Sequence, residues 1–509
     1  MHRLYRLFLI LFVALCITYG ADRQVFANFA DTYGFSAAGV SRGNAMTAVA
    51  HDWSSVYYNM AGLGKTRGYP GANLADTSDS KPVVSPRGSK LSLKKKSDGS
   101  NDVSDVPASG PSALMRYHDQ LGLSYMYTYP MMNINIPRED VTGDQNLEFG
   151  TITLGLVLDL NHFIIMPDFI SSSRFGLGIG LMQDGTLVRV NDIDLRTHNY
   201  QRYGREAQRT VIFAGMGFGF VDDMFGIGLG AHVWTGGKGA VELEEVEVGG
   251  DEQMPEQQIL MDLEPVYAPA VGLYFSPGKI WDAMKGLELG VAYRGELWME
   301  IYPFDTNATL TMGGVTMVMG LAIYDYYTPH IISAGAAYTP LGILPDLTVS
   351  LDVEYQMWSR YGVSRAKEDY VEQYNEYNDP GDPDIELPEF RDIIVPKLGI
   401  SYQLFSWMSV NAGYFYRMSF LEDDANNTVF NFLDNDTHVG SLGLTFIVPK
   451  KGPMVSPVEI TIAGQFQYLV KQTVVKDDAF DDSATTNLNP SYNYEGMVPS
   501  GFVEVIMRW

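Results

Sequence analysis

The sequence predicts an all-β protein: a fourteen-stranded antiparallel transmembrane β-barrel plugged by a small N-terminal hatch. Three observations carry that expectation. The chain starts with an export signal, its second half alternates apolar and polar residues with regularity, and it ends flush on an aromatic strand. In Phe502–Trp509 the residues Val503, Val505, Met507 and Trp509 are apolar, with Glu504 and Arg508 between them. A terminal strand of this kind resembles the closing strand and assembly signal of bacterial outer-membrane barrels.

Residues 1–20 read as a signal peptide. Arg3 and Arg6 precede the apolar run Leu7–Ile17, and small residues follow at Gly20 and Ala21. The run is short for a membrane helix. The chain's one cysteine, Cys16, lies inside it and follows Leu15, which is not the small residue a lipoprotein signal needs. The mature chain therefore has no thiol for a disulfide or a metal, and no cofactor is expected. No later stretch offers the ~18–20 uninterrupted apolar residues of a membrane helix. Yet the sequence is 46% hydrophobic and 12% aromatic, with 51 glycines and 31 tyrosines. A closed barrel is the non-helical structure that satisfies its backbone in lipid. A net charge of -26 argues against nucleic acid and anionic surfaces as partners.

Residues 21–64 do not alternate. They are rich in small residues and read as helical turns able to fold into the lumen as a hatch, a periplasmic extension being the alternative. Residues 65–118, with Lys94-Lys95-Lys96 among Ser, Asp and Pro, read as a polar insertion or linker. Residues 119–509 form the barrel. In 347–357 the odd positions Leu347, Val349, Leu351, Val353, Tyr355 and Met357 are apolar, while Thr348, Ser350, Asp352, Glu354 and Gln356 are polar. The same period recurs in 286–303, 408–418 and 459–470. Each such strand would show lipid one face and a polar interior the other. Fourteen runs are expected, near 120–136, 149–160, 174–192, 208–221, 224–246, 258–276, 286–303, 329–340, 346–361, 392–405, 407–420, 437–449, 457–475 and 499–509. Short and long connections alternate between them, and an even strand number puts both ends in the periplasm. The long loop 362–391 is acidic; a solvated loop is expected there, with a divalent cation bridging to lipopolysaccharide as the alternative.

Gly34–Ala50, followed by Asp52 and then Tyr58-Asn59-Met60-Ala61-Gly62-Leu63, resembles the hatch of the FadL family of outer-membrane transporters for long-chain fatty acids and hydrocarbons. The resemblance continues in Asp352…Tyr355…Trp358-Ser359, in Asp434–His438 and Ser441-Leu442-Gly443, and in the terminus. Met60 departs from the family's proline, and residues 65–117 have no counterpart. The resemblance implies passive uptake: an apolar solute enters from outside, rests against the hatch and leaves sideways into the membrane. The expected partners are a hydrophobic ligand, outer-membrane lipid, lipopolysaccharide and the barrel assembly machinery, around a monomer.

Three consecutive strands carry glycine at alternate positions: Gly176, Gly178 and Gly180; Gly215, Gly217 and Gly219; Gly226, Gly228 and Gly230. Their opposite register is apolar, so the glycines should face the lumen. They make a smooth wall for close approach, or they relieve crowding at a bend. Beyond Met182 the apolar register shifts by one residue around Asp184 and Gly185, as at a bulge, and these two are the candidate lateral opening. Candidate ligand contacts are Phe35 and Asn59 from the hatch and Trp234, Trp358, Phe415 and Phe502 from the wall. The wall rings sit in registers opposite the lipid-facing sets. Lumenal Glu288, Arg294, Glu296, Asp352, Glu354, Arg417 and Glu459 suit either a network around a hatch or the wet pore of a general porin. A surface adhesin using the acidic loops is a further alternative. An enzyme is not expected: there is no Gly-x-Ser-x-Gly elbow, and the eight histidines are scattered.

Overall fold

The computed structural model describes residues 29–65, 119–136, 141–146, 148–167, 169–182, 198–200, 202–203, 210–234, 237–243, 257–263, 265–299, 308–312, 315–319, 326–362, 368, 371–372, 375–376, 384–428, 430–449, 457–477 and 491–509. The signal peptide, residues 66–118, Asp184 and Gly185 lie outside them.

Alternation drives the architecture. Fourteen strands pair each with its sequence neighbour: β1 (Gln120–Thr128), β2 (Phe149–Asp159), β3 (Ile170–Met182), β4 (Val211–Phe220), β5 (Phe225–Trp234), β6 (Val266–Phe275), β7 (Leu287–Arg294), β8 (Ile331–Tyr338), β9 (Leu347–Gln356), β10 (Ile393–Phe405), β11 (Met408–Arg417), β12 (Thr437–Val448), β13 (Val458–Val474) and β14 (Tyr492–Arg508). The last strand returns to the first in antiparallel register, from Gln120↔Arg508 to Thr128↔Ser500, and closes the barrel. Each of the fourteen expected runs overlaps one of these strands, and twelve contain theirs whole; β3 begins at Ile170 rather than 174. The closing strand starts at Tyr492 rather than near 499, and a hairpin of Met131–Ile136 and Val141–Asn146 extends the sheet by pairing with Asn493–Met497.

The two faces differ as the period requires. Leu123, Tyr125, Leu229, Leu351, Val353, Tyr414, Ile462, Val503 and Met507 are exposed on the outside. Their in-register neighbours Ser124, His232, Asp352, Glu354, Asn411, Gln465 and Glu504 are buried inside. An apolar outside around a polar inside is the signature of a membrane barrel. No helix among the described residues is long and apolar enough to cross a membrane. Tight connections lie at one end, with Asp119 and Trp509. At Val221-Asp222-Asp223 three successive non-glycine residues take positive φ (52°, 54° and 62°) to turn β4 into β5. Long connections lie at the other end, the outer one in such barrels.

Candidate functional site

The lumen is filled by residues 29–65. Small residues let this segment coil tightly: helical turns at Phe29–Thr32, Ala37–Val40 and Ser55–Tyr58 lead into a 3-10 turn at Met60–Gly64. Ser36 caps its turn by accepting from Gly39 N at 3.1 Å. The Tyr58 hydroxyl ties distant parts together, donating to Asn44 Oδ1 at 2.7 Å and accepting from Phe35 N at 3.2 Å.

Buried backbone in short turns has unmet donors and acceptors, which must find partners. The wall supplies them from the charges seen in the sequence. Asp352 accepts from Thr47 N at 2.8 Å, and Glu504 accepts from Ala38 N at 2.8 Å and from Trp53 Nε1 at 2.9 Å. Gln465 and Gln467 donate to the carbonyls of Tyr33 and Thr32. Arg174 donates to the carbonyl of Leu63 at 2.6 Å. Two ion pairs complete the ring: Arg294–Asp31 at 2.7 Å and Lys65–Glu288 at 3.4 Å. Burial holds the Asp31 carboxyl above the usual carboxylate range, against the opposing pull of Arg294 and of the Tyr57 hydroxyl. Lys65, the first residue of the expected insertion, thus belongs with the hatch.

The glycine rows face this plug. A Cβ on Gly217 would lie 2.6 Å from Gly64 N, Leu63 Cβ and Met60 O. One on Gly178 would meet Val56 and Phe35, and Gly215, Gly228 and Gly230 all lie beneath Met60. Glycine is what lets the 3-10 turn lie backbone-to-backbone on the wall. The turn at Met60 is fixed by Asn59. Its Oδ1 accepts from Ala61 N, and its amide donates to Thr47 O at 2.7 Å and Leu273 O at 3.0 Å.

The six candidate contacts are all buried and divide into two groups. Phe35, Trp234 and Phe502 belong to the apolar cluster around the hatch. Phe35 packs on Trp53, Tyr57 and Phe213 with ring centroids 5.1–5.4 Å apart. Asn59 is wholly engaged by backbone, as a fastener of the plug. Trp358 and Phe415 lie instead in a second cluster at the outer end, with Phe390, Phe420, Phe430 and Phe432. The two clusters meet at Phe432-Leu433, where a parallel bridge pairs with Asn199-Tyr200. Arg202 lies over the Trp358 and Phe420 rings, at 4.9 and 4.8 Å. Tyr203 lies edge-on to Tyr33.

Phe213 was findable from the sequence, since it shares the register of Gly215–Gly219. Arg202 and Tyr203 were not, because their loop has no period. Up to Met182, β3 is paired with β2, and up to Gly180 with β4.

No family model matches the chain. Over 302 residues it is 25% identical to alkane uptake protein A of Marinobacter nauticus, a match covering 57% of this chain and 62% of that protein. The chain thus spans about three fifths of that relative's length. Among solved structures it is similar to a FadL homologue of Pseudomonas aeruginosa, with TM-score 0.48, 12% identity, and coverage of 96% of this chain and 99% of that one. It is also similar to the toluene transporter TodX of Pseudomonas putida, with TM-score 0.44, 12% identity, and coverage of 96% and 100%. The toluene transporter TbuX of Ralstonia pickettii gives TM-score 0.42, 12% identity, and coverage of 94% and 99%.

Proposed function

We propose that this chain is a FadL-type channel of the bacterial outer membrane for passive uptake of hydrophobic compounds, long-chain fatty acids or hydrocarbons, past a lumenal hatch. One observation carries the reading: two apolar clusters meet inside the barrel and lead from the outer loops to the hatch, where a general porin would hold water. Of the lumenal charges that would suit such a porin, all but Arg417 bond the plug or another charged side chain. Asp352, Glu288 and Arg294 hold hatch atoms, Glu354 pairs with Lys397 at 2.7 Å, and Glu459 pairs with Arg508 at 2.8 Å. The named activity of the relative, alkane uptake, agrees in solute class. An apolar solute moves readily along such a surface, because each step keeps it out of water.

Release is sideways, near Asp184 and Gly185, into the bilayer. Its support is the register shift in the sequence and the glycine-faced strands beside it. Outer-membrane lipid and lipopolysaccharide surround a monomer inserted by the barrel assembly machinery. The test is a pair of variants of the full chain. Deleting residues 22–60 should turn a nearly non-conducting barrel into an ion-conducting pore in planar bilayers; unchanged conductance of a folded barrel would refute the plug. Deleting Gly185 should restore a single register, close the wall and reduce uptake of an apolar solute while outside binding survives. Normal transport by that variant would replace lateral release with an axial route.

A further inference from the structure

The end of the barrel that carries the tight connections is greasy at its tips. Five of these connections each hold a large exposed apolar side chain: Ile165 between β2 and β3, Val221 between β4 and β5, Trp281 between β6 and β7, Ile343 between β8 and β9, and Trp407 between β10 and β11. Ile165 is 76% exposed and Ile343 82%, more than Leu123 or Leu351 on the lipid-facing wall, so no described residue covers them. Between β6 and β7 every side chain from Lys279 to Lys285 is exposed. Two short 3-10 turns there, Pro277–Lys279 and Asp282–Met284, hold Ile280 and Trp281 out between the two lysines.

These tips are continuous with the lipid-facing wall. Asp222 N donates to Ser171 Oγ at 2.8 Å, and Ser276 N donates to Met224 O at 2.7 Å, so the first three turns stand side by side. Phe169 stacks on Phe220 and Phe220 on Phe225, with centroids 6.3 and 5.0 Å apart. Phe225 shares the outward register of Ile227 and Leu229. On the opposite side of the barrel Phe405 stacks on Trp407 and Trp407 on Phe446, at 5.4 and 6.2 Å. Phe446 shares the outward register of Leu442 and Leu444. An apolar surface of this extent marks a contact with something apolar. A docked protein would need it on one side; apolar tips on every side, stacked onto the lipid-facing rings, describe a surrounding solvent.

We propose that the tight connections are a lipid-binding collar, set into the phospholipid leaflet that faces the periplasm, with Ile165, Trp281 and Ile343 among the acyl chains. Tryptophan suits that height, because its apolar body and its N–H meet the boundary between hydrocarbon and headgroup. Lys279 and Lys285 suit it too, since a lysine lays its stem along apolar surface while its ammonium stays with the wet phosphates. Seated in this way, the barrel keeps its excess height on the outer side. The end of the hatch, where Gly64 O accepts from the Tyr274 hydroxyl of β6 at 3.4 Å, then emerges at the level of the headgroups. The collar does not depend on what the channel carries.

The experiment is spin labelling of the full chain in phosphatidylcholine vesicles. Cys16, in the signal segment, is the only cysteine, so Ile165→Cys and Ile343→Cys each take one label. Collisions with oxygen, which concentrates in hydrocarbon, are compared with collisions with a water-soluble nickel chelate. Leu351→Cys on the wall and Glu386→Cys in the acidic loop serve as lipid and water references. Folding of each variant is checked by the heat-dependent gel mobility of intact barrels. Both turn labels should give an oxygen-to-nickel ratio within threefold of Leu351→Cys and at least tenfold above Glu386→Cys. A lower ratio at either position would overturn the collar. Labels shielded from both reagents would overturn it as well, by showing that protein covers the tips. Should a labelled variant fail to fold, Trp281→Phe is compared with the natural chain in vesicles of brominated phosphatidylcholine. The substitution should remove part of the lipid-quenched tryptophan emission, and no loss overturns the collar.

Discussion

Gly217→Ala should loosen the hatch without harming the barrel. The added methyl would start 2.6 Å from three hatch atoms, Gly64 N, Leu63 Cβ and Met60 O. Ordinary contact lies at about 3.5–4.0 Å, so the 3-10 turn must retreat by roughly an ångström. Two of the three atoms are backbone and the third is a Cβ, so no side-chain rotation relieves the clash. Overpacking of this kind costs about 1–3 kcal/mol. At about 1.4 kcal/mol per decade, the undocked fraction of the hatch rises about five- to hundredfold. Gly464 and Gly501 are the internal control, because a Cβ on either meets nothing within 4 Å on the outer face. The assay is the frequency of ion-conducting openings in planar bilayers, beside protease cleavage within residues 29–65. Gly217→Ala should raise both, and Gly464→Ala should change neither. If the two variants behave alike, the glycine rows do not serve hatch docking, and the bend explanation takes their place.

Removing a single wall acceptor should act more locally. Asp352→Ala leaves the buried Thr47 N–H without its acceptor and should cost about 1–3 kcal/mol, read as faster hydrogen exchange at Thr47 with the strands unaffected. Arg294→Met strands the Asp31 carboxylate and should cost about 3–5 kcal/mol; adding Asp31→Asn should recover most of the loss in the protease assay, and no recovery would deny the pair its role. Acid should also weaken the hold of His51 on the docked state. Burial holds His51 down to about 4, while an undocked hatch takes the proton at about 6.5. The contribution of His51 to docking is therefore full above pH 6.5 and fades as pH falls toward 4, and His51→Gln should remove that part of the pH dependence of conductance. Phe415→Ala should weaken binding of an apolar ligand by about 1.5–3 kcal/mol, measured by calorimetry; unchanged affinity would place the ligand elsewhere.

Where lipid touches one face and the lumen the other, the sequence declares the strand, as 347–357 and 458–468 do. The part of β14 missed from sequence fails for a physical reason. In Tyr492–Gly496 the buried, inward Tyr492 and Tyr494 are apolar, and the outward Asn493 and Glu495 are polar. The polarity is inverted, so a search for greasy outward faces passes over it. Trp234, Phe415 and Phe502 were legible as greasy exceptions in a polar register. Which cluster each joins depends on contacts with Arg202 and Tyr203, whose placement no periodicity encodes. Asn59 was legible as hatch but not as a fastener, since its partners Thr47 and Leu273 are remote in the chain.

The inverted segment also fixes a height. β13 and β14 each run 17 residues, and at about 3.3 Å per residue each is about 56 Å long. Tilted by about 40°, such a strand rises about 43 Å, against an apolar band about 25 Å tall. About 18 Å of wall therefore stands beyond the hydrocarbon, enough to carry Tyr492 and Tyr494 clear of it. A molecule arriving from outside meets a parapet whose inner side is already greasy and whose outer side is wet. On the uptake reading it can leave water at that height, before it reaches the level of the hydrocarbon.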